Sequence, residues 1–169
     1  MTDLPTHPIW DFVRAAYGRP GVSPAFLALQ ARHGADVDLL LYAAWVGASG
    51  RGRTGKPALT KLRTAMAPWQ SEILLSLRSL RRLLKQPIGN VPDALAQPLR
   101  QRVMATEIEA ERVQLLALAA DAPPAEERED SERRADAVAN LAIGLALFRI
   151  GAASAQDEQD INTIAAGCF

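Results

Sequence analysis

A chain of 169 residues, 49% of them hydrophobic, is long enough to bury about 70% of the surface its unfolded form exposes. Its single cysteine, Cys168, excludes an intrachain disulfide and a cysteine-built zinc site, and it suits a reducing cytoplasm. The net charge of zero conceals a division: residues 1–90 carry 12 Lys and Arg against 5 Asp and Glu, and residues 91–169 carry 7 against 14. Either the two halves pair with each other, in one molecule or across a dimer, or the basic half meets an anionic partner. The first is the expectation, because an overall charge near zero disfavours a polyanion. The opening residues lack the basic and apolar regions of a secretory signal, so the chain is expected to stay in the cytoplasm.

Pro8 suits a first helical position, and Ile9, Trp10, Val13 and Tyr17 recur at helical spacing up to Gly18. After the turn Arg19-Pro20-Gly21-Val22, Ser23 and Pro24 read as the N-cap and first residue of a second helix, with Val22 and Leu27 as a hydrophobic staple. Residues 36–47 then run apolar on every face once Asp36 and Asp38 have supplied carboxylates to the first turn, and a helix of that kind must lie inside the protein.

These residues carry a resemblance. Ile9-Trp10-Asp11-Phe12, Tyr17-Gly18-Arg19-Pro20-Gly21-Val22, Leu27-Ala28-Leu29-Gln30 and Gly34-Ala35-Asp36-Val37-Asp38-Leu39-Leu40-Leu41 with Trp45 resemble an uncharacterised family of small bacterial helical proteins, a domain of unknown function. The resemblance covers residues 9–46, is weaker through Trp69–Lys85 and does not reach the last third of the chain. It implies a bacterial helical protein and brings no catalytic residues with it. Asp38 stands where that family carries Asn more often, which argues against a charge-dependent role there.

Ser49–Pro57 reproduces the Gly and Lys spacing of a phosphate-binding loop at Gly50, Gly55 and Lys56. Pro57, however, replaces the magnesium-holding hydroxyl, and a helix precedes the loop instead of a strand, so a flexible solvated loop is expected. Pro68 reads as the start of an amphipathic helix with Trp69, Ile73, Leu77, Leu80 and Leu84 on its apolar side and Arg78, Arg81, Arg82 and Lys85 as a basic ridge opposite. The ridge reads first as a solvated face, second as a contact with the acidic half, and third as a site for an anionic ligand or nucleic acid.

Gln86–Pro92 is a connection, and Pro98 reads as the start of a long helix to about Ala120 whose buried side carries Leu99, Val103, Ala110 and Val113. Glu107 and Glu111 lie one turn apart, but neither histidine falls on a helix where it would complete a di-iron pattern, so no metal and no cofactor are expected. Residues 121–131 read as a mobile acidic loop. A last long helix follows with Val138, Leu141, Leu145 and Phe148 beside small alanines, then a short helix and a tail over 165–169. Asn140 and Arg149 interrupt the apolar run, so no membrane span is expected.

The fold expected is all-α: one irregular single-domain bundle of about six to eight helices around the buried helix at 36–47. The function expected is a cytoplasmic protein-interaction or regulatory domain that is not an enzyme, with a protein partner or self-association and no nucleic acid. The alternative is a small helical-bundle enzyme or carrier of an anionic molecule. Weak binding candidates are Asp11, Arg19, Asp38, Arg78, Arg81, Arg82 and Lys85, of which Arg19, Arg78 or Arg82 would clamp the anion of the alternative and Asp11 or Asp38 stand opposite.

Overall fold

The computed structural model describes residues 4–169. Eight α-helices and one π-helical segment make up the regular structure of those residues: α1 Pro8–Tyr17, α2 Val22–His33, α3 Val37–Ala48, α4 Lys56–Pro68, the π segment Trp69–Leu74, α5 Leu75–Leu83, α6 Asp93–Ala119, α7 Asp130–Leu145 and α8 Ala155–Ala166. The chain divides into two compact units. One comprises Met1–Arg63 with Leu115–Phe169, and the other Thr64–Gln114.

The first unit is built on α3. All twelve of its residues are buried, and Asp36 caps it by accepting hydrogen bonds from the main-chain N–H groups of Asp38, at 3.0 Å, and Leu39. Having no polar face, α3 is covered by α1, α2, α7 and α8, with α7 as its principal neighbour. That approach is unusually close. A Cβ placed on Gly47 would lie 2.3 Å from the main-chain nitrogen of Ala137, and one on Gly144 would meet a methyl of Leu40 at 3.0 Å. The small residues that admit α7 are therefore Gly47, Ala137 and Gly144, and not the alanine row at 135, 139, 142 and 146 that periodicity favours.

Several helix ends depart from expectation. Gly21, at φ 83°, caps α2 in place of Ser23, and because Leu27 is exposed the expected staple with the buried Val22 does not form. His7 caps α1 through its ring: Nδ1 accepts from the N–H of Ile9 at 3.2 Å while the imidazole packs on Trp45, with centroids 5.7 Å apart.

Pro68 does not open a helix. It ends α4, and the helical ladder continues through the π segment, where the N–H of Leu75 reaches back five residues to the carbonyl of Gln70. Proline has no N–H to give to the preceding turn, and a wider turn follows it. Pro98 likewise lies inside α6, which starts five residues earlier at Asp93. In both places a residue suited to a helix start is carried within a longer helix.

Trp45 is 2% exposed, between Tyr42, His7 and the guanidinium of Arg51, which lies 4.4 Å above its ring. Trp45→Ala is expected to destabilise the protein by about 3–5 kcal/mol, and Gly47→Ala by about 3 kcal/mol, because the added methyl meets main chain that cannot rotate away. Urea denaturation midpoints of the two variants test this. A Gly47→Ala midpoint equal to that of the parent would contradict the close α3–α7 approach.

Candidate functional site

Within the first unit, the glycine-rich loop and the acidic stretch fold against each other, so neither is the free loop that its sequence suggests. The side chain of Asn140 on α7 accepts from the N–H of Thr54 at 2.8 Å and donates to the carbonyl of Gly52 at 3.0 Å. Arg53 and Arg128 both reach the buried carboxylate of Asp136, at 2.9 and 3.1 Å. From the acidic side, the N–H of Glu126 donates to the carbonyl of Gly50 at 3.0 Å, and Arg51 donates to the carbonyl of Pro123 at 2.9 Å. Gly50, at φ 78°, is needed here, because a Cβ would lie 2.5 Å from the carbonyl oxygen of Glu126. A loop made this way is an ordered structural element, with Arg51 and Arg53 already engaged.

A second cluster joins the C-terminus of α2 to the N-terminus of α8. Ser154 and Asp157 form a reciprocal capping box, and the Oδ1 of Asp157 also accepts from Arg32 at 3.1 Å and from the Nε2 of His33 at 2.8 Å. Arg32 donates in addition to Asp160. Burial opposes ionisation of Asp157, but the main-chain N–H of Ser154, His33, the Ser154 hydroxyl and Arg32 outweigh it and hold the carboxyl well below the usual range. Ser154 and Asp157 at capping-box spacing are the signal by which the sequence could have shown this.

In the second unit, α5 and α6 form a hairpin whose turn is closed by the Val91 N–H on the carbonyl of Ile88 at 3.1 Å. The arms are tied by polar contacts. Trp69 donates its indole N–H to the carbonyl of Ala110 at 3.1 Å, and Gln70 donates to Gln114 at 3.0 Å. Arg81 forks onto both oxygens of Glu107, and Arg78 donates to Glu111 at 2.7 Å while lying 3.4 Å from Glu107. The Glu107 hydrogen bond raises the Arg81 pKa still further. Arg78 and Arg81 thus belong to a contact with the acidic half and not to a solvated ridge; Arg82 and Lys85 alone keep the exposed position. Leu74, Leu84, Val103 and Ala110 are buried, whereas Ile73, Leu80 and Leu99 are exposed although their spacing assigns them to the apolar sides of their helices, and Met104 and Ile108 are exposed as well.

The remaining candidates are not gathered into one site. Asp11 is exposed on α1, Arg19 donates from an exposed position to the carbonyl of Phe169 at 3.3 Å, and Asp38 is buried in the first turn of α3. The feature that sequence reasoning missed is the hairpin tip. Leu83, Ile88, Val91, Leu95 and Leu99 are each half exposed or more, Leu95 at 72%. The Gln86–Pro92 stretch read only as a connection, and its Ile88 and Val91 were the available signal.

Two measurements follow. The folded pKa of Asp157 lies below its unfolded value of about 4, so the stability it contributes is complete above about pH 4 and fades as pH falls toward the folded value. Asp157→Asn should therefore lower the urea midpoint at about pH 6 by more than at about pH 3. An equal deficit at both would remove the ionised carboxylate from the explanation. Arg81→Ala should cost about 2–3 kcal/mol, less than a fully buried pair, and a double-mutant cycle with Glu107→Ala should return a coupling of about 1–3 kcal/mol. Additive effects would show that the two side chains act independently.

Neither the curated proteins nor the solved structures include a significant match to the chain. The family match begins at α1, takes in all of α3 and the whole hairpin, and ends before α7 and α8. The chain belongs to the family described as protein of unknown function DUF2390, which it matches over residues 8–118.

Proposed function

We propose that this chain is a protein-interaction or regulatory module of the bacterial cytoplasm that presents the tip of its Thr64–Gln114 hairpin to another protein. One observation carries the reading: Leu83, Ile88, Val91, Leu95 and Leu99 fall within one turn and the helical turns beside it, and all are exposed. Exposed apolar residues scattered singly need no explanation, but a run of five concentrated at one end of a hairpin marks a surface that gains from being covered. The first unit supports the same reading, since Arg53 and Arg51 of its glycine loop are taken up by Asp136 and by the main-chain carbonyl of Pro123. The single cysteine favours a reducing compartment. Among the described residues, no helix is long and apolar enough to cross a membrane.

A photo-activatable amino acid placed at Leu95 should give a discrete protein adduct of higher mass when cells making the full chain are irradiated. The same group at the exposed Lys61 should give none. Absence of a protein adduct at position 95, or equal labelling from both positions, would remove the tip from consideration as a docking surface.

A further inference from the structure

We infer that the occupant of the hairpin tip is an acidic amphipathic helix of a partner protein, an inference that rests on the reading of the tip as a protein-docking surface. The first argument is one of shape and size. Leu80 with Leu83, and Leu95 with Leu99, are pairs three or four residues apart, so each pair lies along one side of its helix, with Ile88 and Val91 in the turn between. Two helices cannot bury a second apolar stripe between themselves, and a third helix laid on them can, as in helix-in-groove recognition. Six exposed apolar residues suit one helix with a polar rim and fall well short of the roughly 20–30 residues a side of a standard stable interface.

The second argument is charge. Glu107 and Glu111 are paired with Arg81 and Arg78, so these groups cancel. What remains exposed over residues 82–102 is Arg82, Lys85 and Arg102 against Asp93 alone, and Arg100, half-buried beside Gln97, adds a further cation. The leucines therefore sit in a basic rim. A second copy docked tip to tip would bring like charges together, whereas an acidic helix meets opposite charge along its whole polar face. A lipid surface would also attract the cations, but interfacial anchoring draws on Trp and Tyr, and the single aromatic residue of this unit is Trp69, engaged with Ala110 among the contacts that tie the arms.

The test uses the full chain and two labelled peptides of about eighteen residues. Both carry leucines at helical three- and four-residue spacing among alanines; the polar face is glutamate in one and lysine in the other. Fluorescence anisotropy should show the glutamate peptide binding at least about tenfold more tightly than the lysine peptide. Leu95→Asp should weaken that binding at least about tenfold, and the loss should persist at 0.5 M salt, where the added charge is screened. Arg82→Glu with Lys85→Glu should weaken it about tenfold at 0.1 M salt, less at 0.5 M, and should improve binding of the lysine peptide. All three substitutions are at exposed positions, so folding is expected to persist, and circular dichroism checks that it does. If both peptides bind equally, or the lysine peptide binds better, the acidic chemistry is wrong although protein docking stands. If neither peptide binds and the chain instead dimerises, or adheres to phosphatidylglycerol vesicles, in a way that Leu95→Asp abolishes, then both the inference and the reading beneath it fail. Failure to bind peptide, vesicle or a second copy overturns the inference as well.

Discussion

Helix α3 sets the terms for the first unit, because a helix with no polar face cannot tolerate water on any side. Helices α1 and α2 lie next to it in sequence and are natural neighbours, but they cover only part of its circumference. The main share falls to α7, which arrives some eighty residues later. A late-arriving helix can occupy that place only if the two backbones approach closely, which Gly47 and Gly144 permit. Burying α3 and the loss of side chain at two glycines are thus a single constraint: the apolar helix needs a tight lid, and a tight lid leaves no room for a Cβ at the contact.

The opposed charges of the two halves are resolved in the same way in each unit. Arg32 meets Asp157 and Asp160, Arg53 meets Asp136, and Arg78 and Arg81 meet Glu107 and Glu111. In each of these pairs the cation comes from the first 90 residues and the carboxylate from the remainder, while Asp136 takes a second partner, Arg128, from its own half. An exposed pair of this kind contributes little, but Asp136, Asp157, Asp160 and Glu107 are buried, and a buried carboxylate without its partner is strongly destabilising. The pairs therefore act chiefly by making other arrangements costly. Helix α8 set elsewhere along α2 would leave Asp157 and Asp160 desolvated and unpaired.

The parts of this arrangement visible in the sequence are those that a single segment determines. The all-round apolar run at α3, the Asp36 cap, Pro8 at the first turn of α1 and the burial of Trp45 need no knowledge of the neighbours. The glycine loop and the acidic stretch are the opposite case. Each alone is polar and short of bulky apolar groups, and only when Gly50 and Gly52 expose carbonyls to Glu126 and Asn140 do the two become ordered structure. Pro68 and Pro98 mislead for a different reason. A proline is tolerated inside a helix when the surrounding turns are held by other contacts, and local preference cannot register those. Periodicity identified the apolar sides of α5 and α6 but had no means of saying that Leu80 and Leu99 would lack a cover. Of the weak binding candidates, Arg78 and Arg81 are brought together, yet the partners they meet are the chain's own glutamates.

The division of the α5 ridge explains how the hairpin can leave leucines exposed without falling apart. Arg78, Arg81 and Arg82 lie within about 100 degrees of one another around α5, and it is the placement of Glu107 and Glu111 on α6 that takes up Arg78 and Arg81 and leaves Arg82 exposed. The arms are joined by these two arginines together with Trp69 and Gln70, all of which bond to groups between Glu107 and Gln114. Leu83, Ile88, Val91, Leu95 and Leu99 belong to none of those contacts. The residues that set the pairing of the arms and the residues open to a partner are therefore separate sets along the same two helices. A hairpin built on leucine packing alone would have to draw on its exposed apolar surface to hold itself together. One held by guanidinium–carboxylate forks can keep that surface available, and covering or uncovering the tip then leaves the bonds that fix α5 against α6 unchanged.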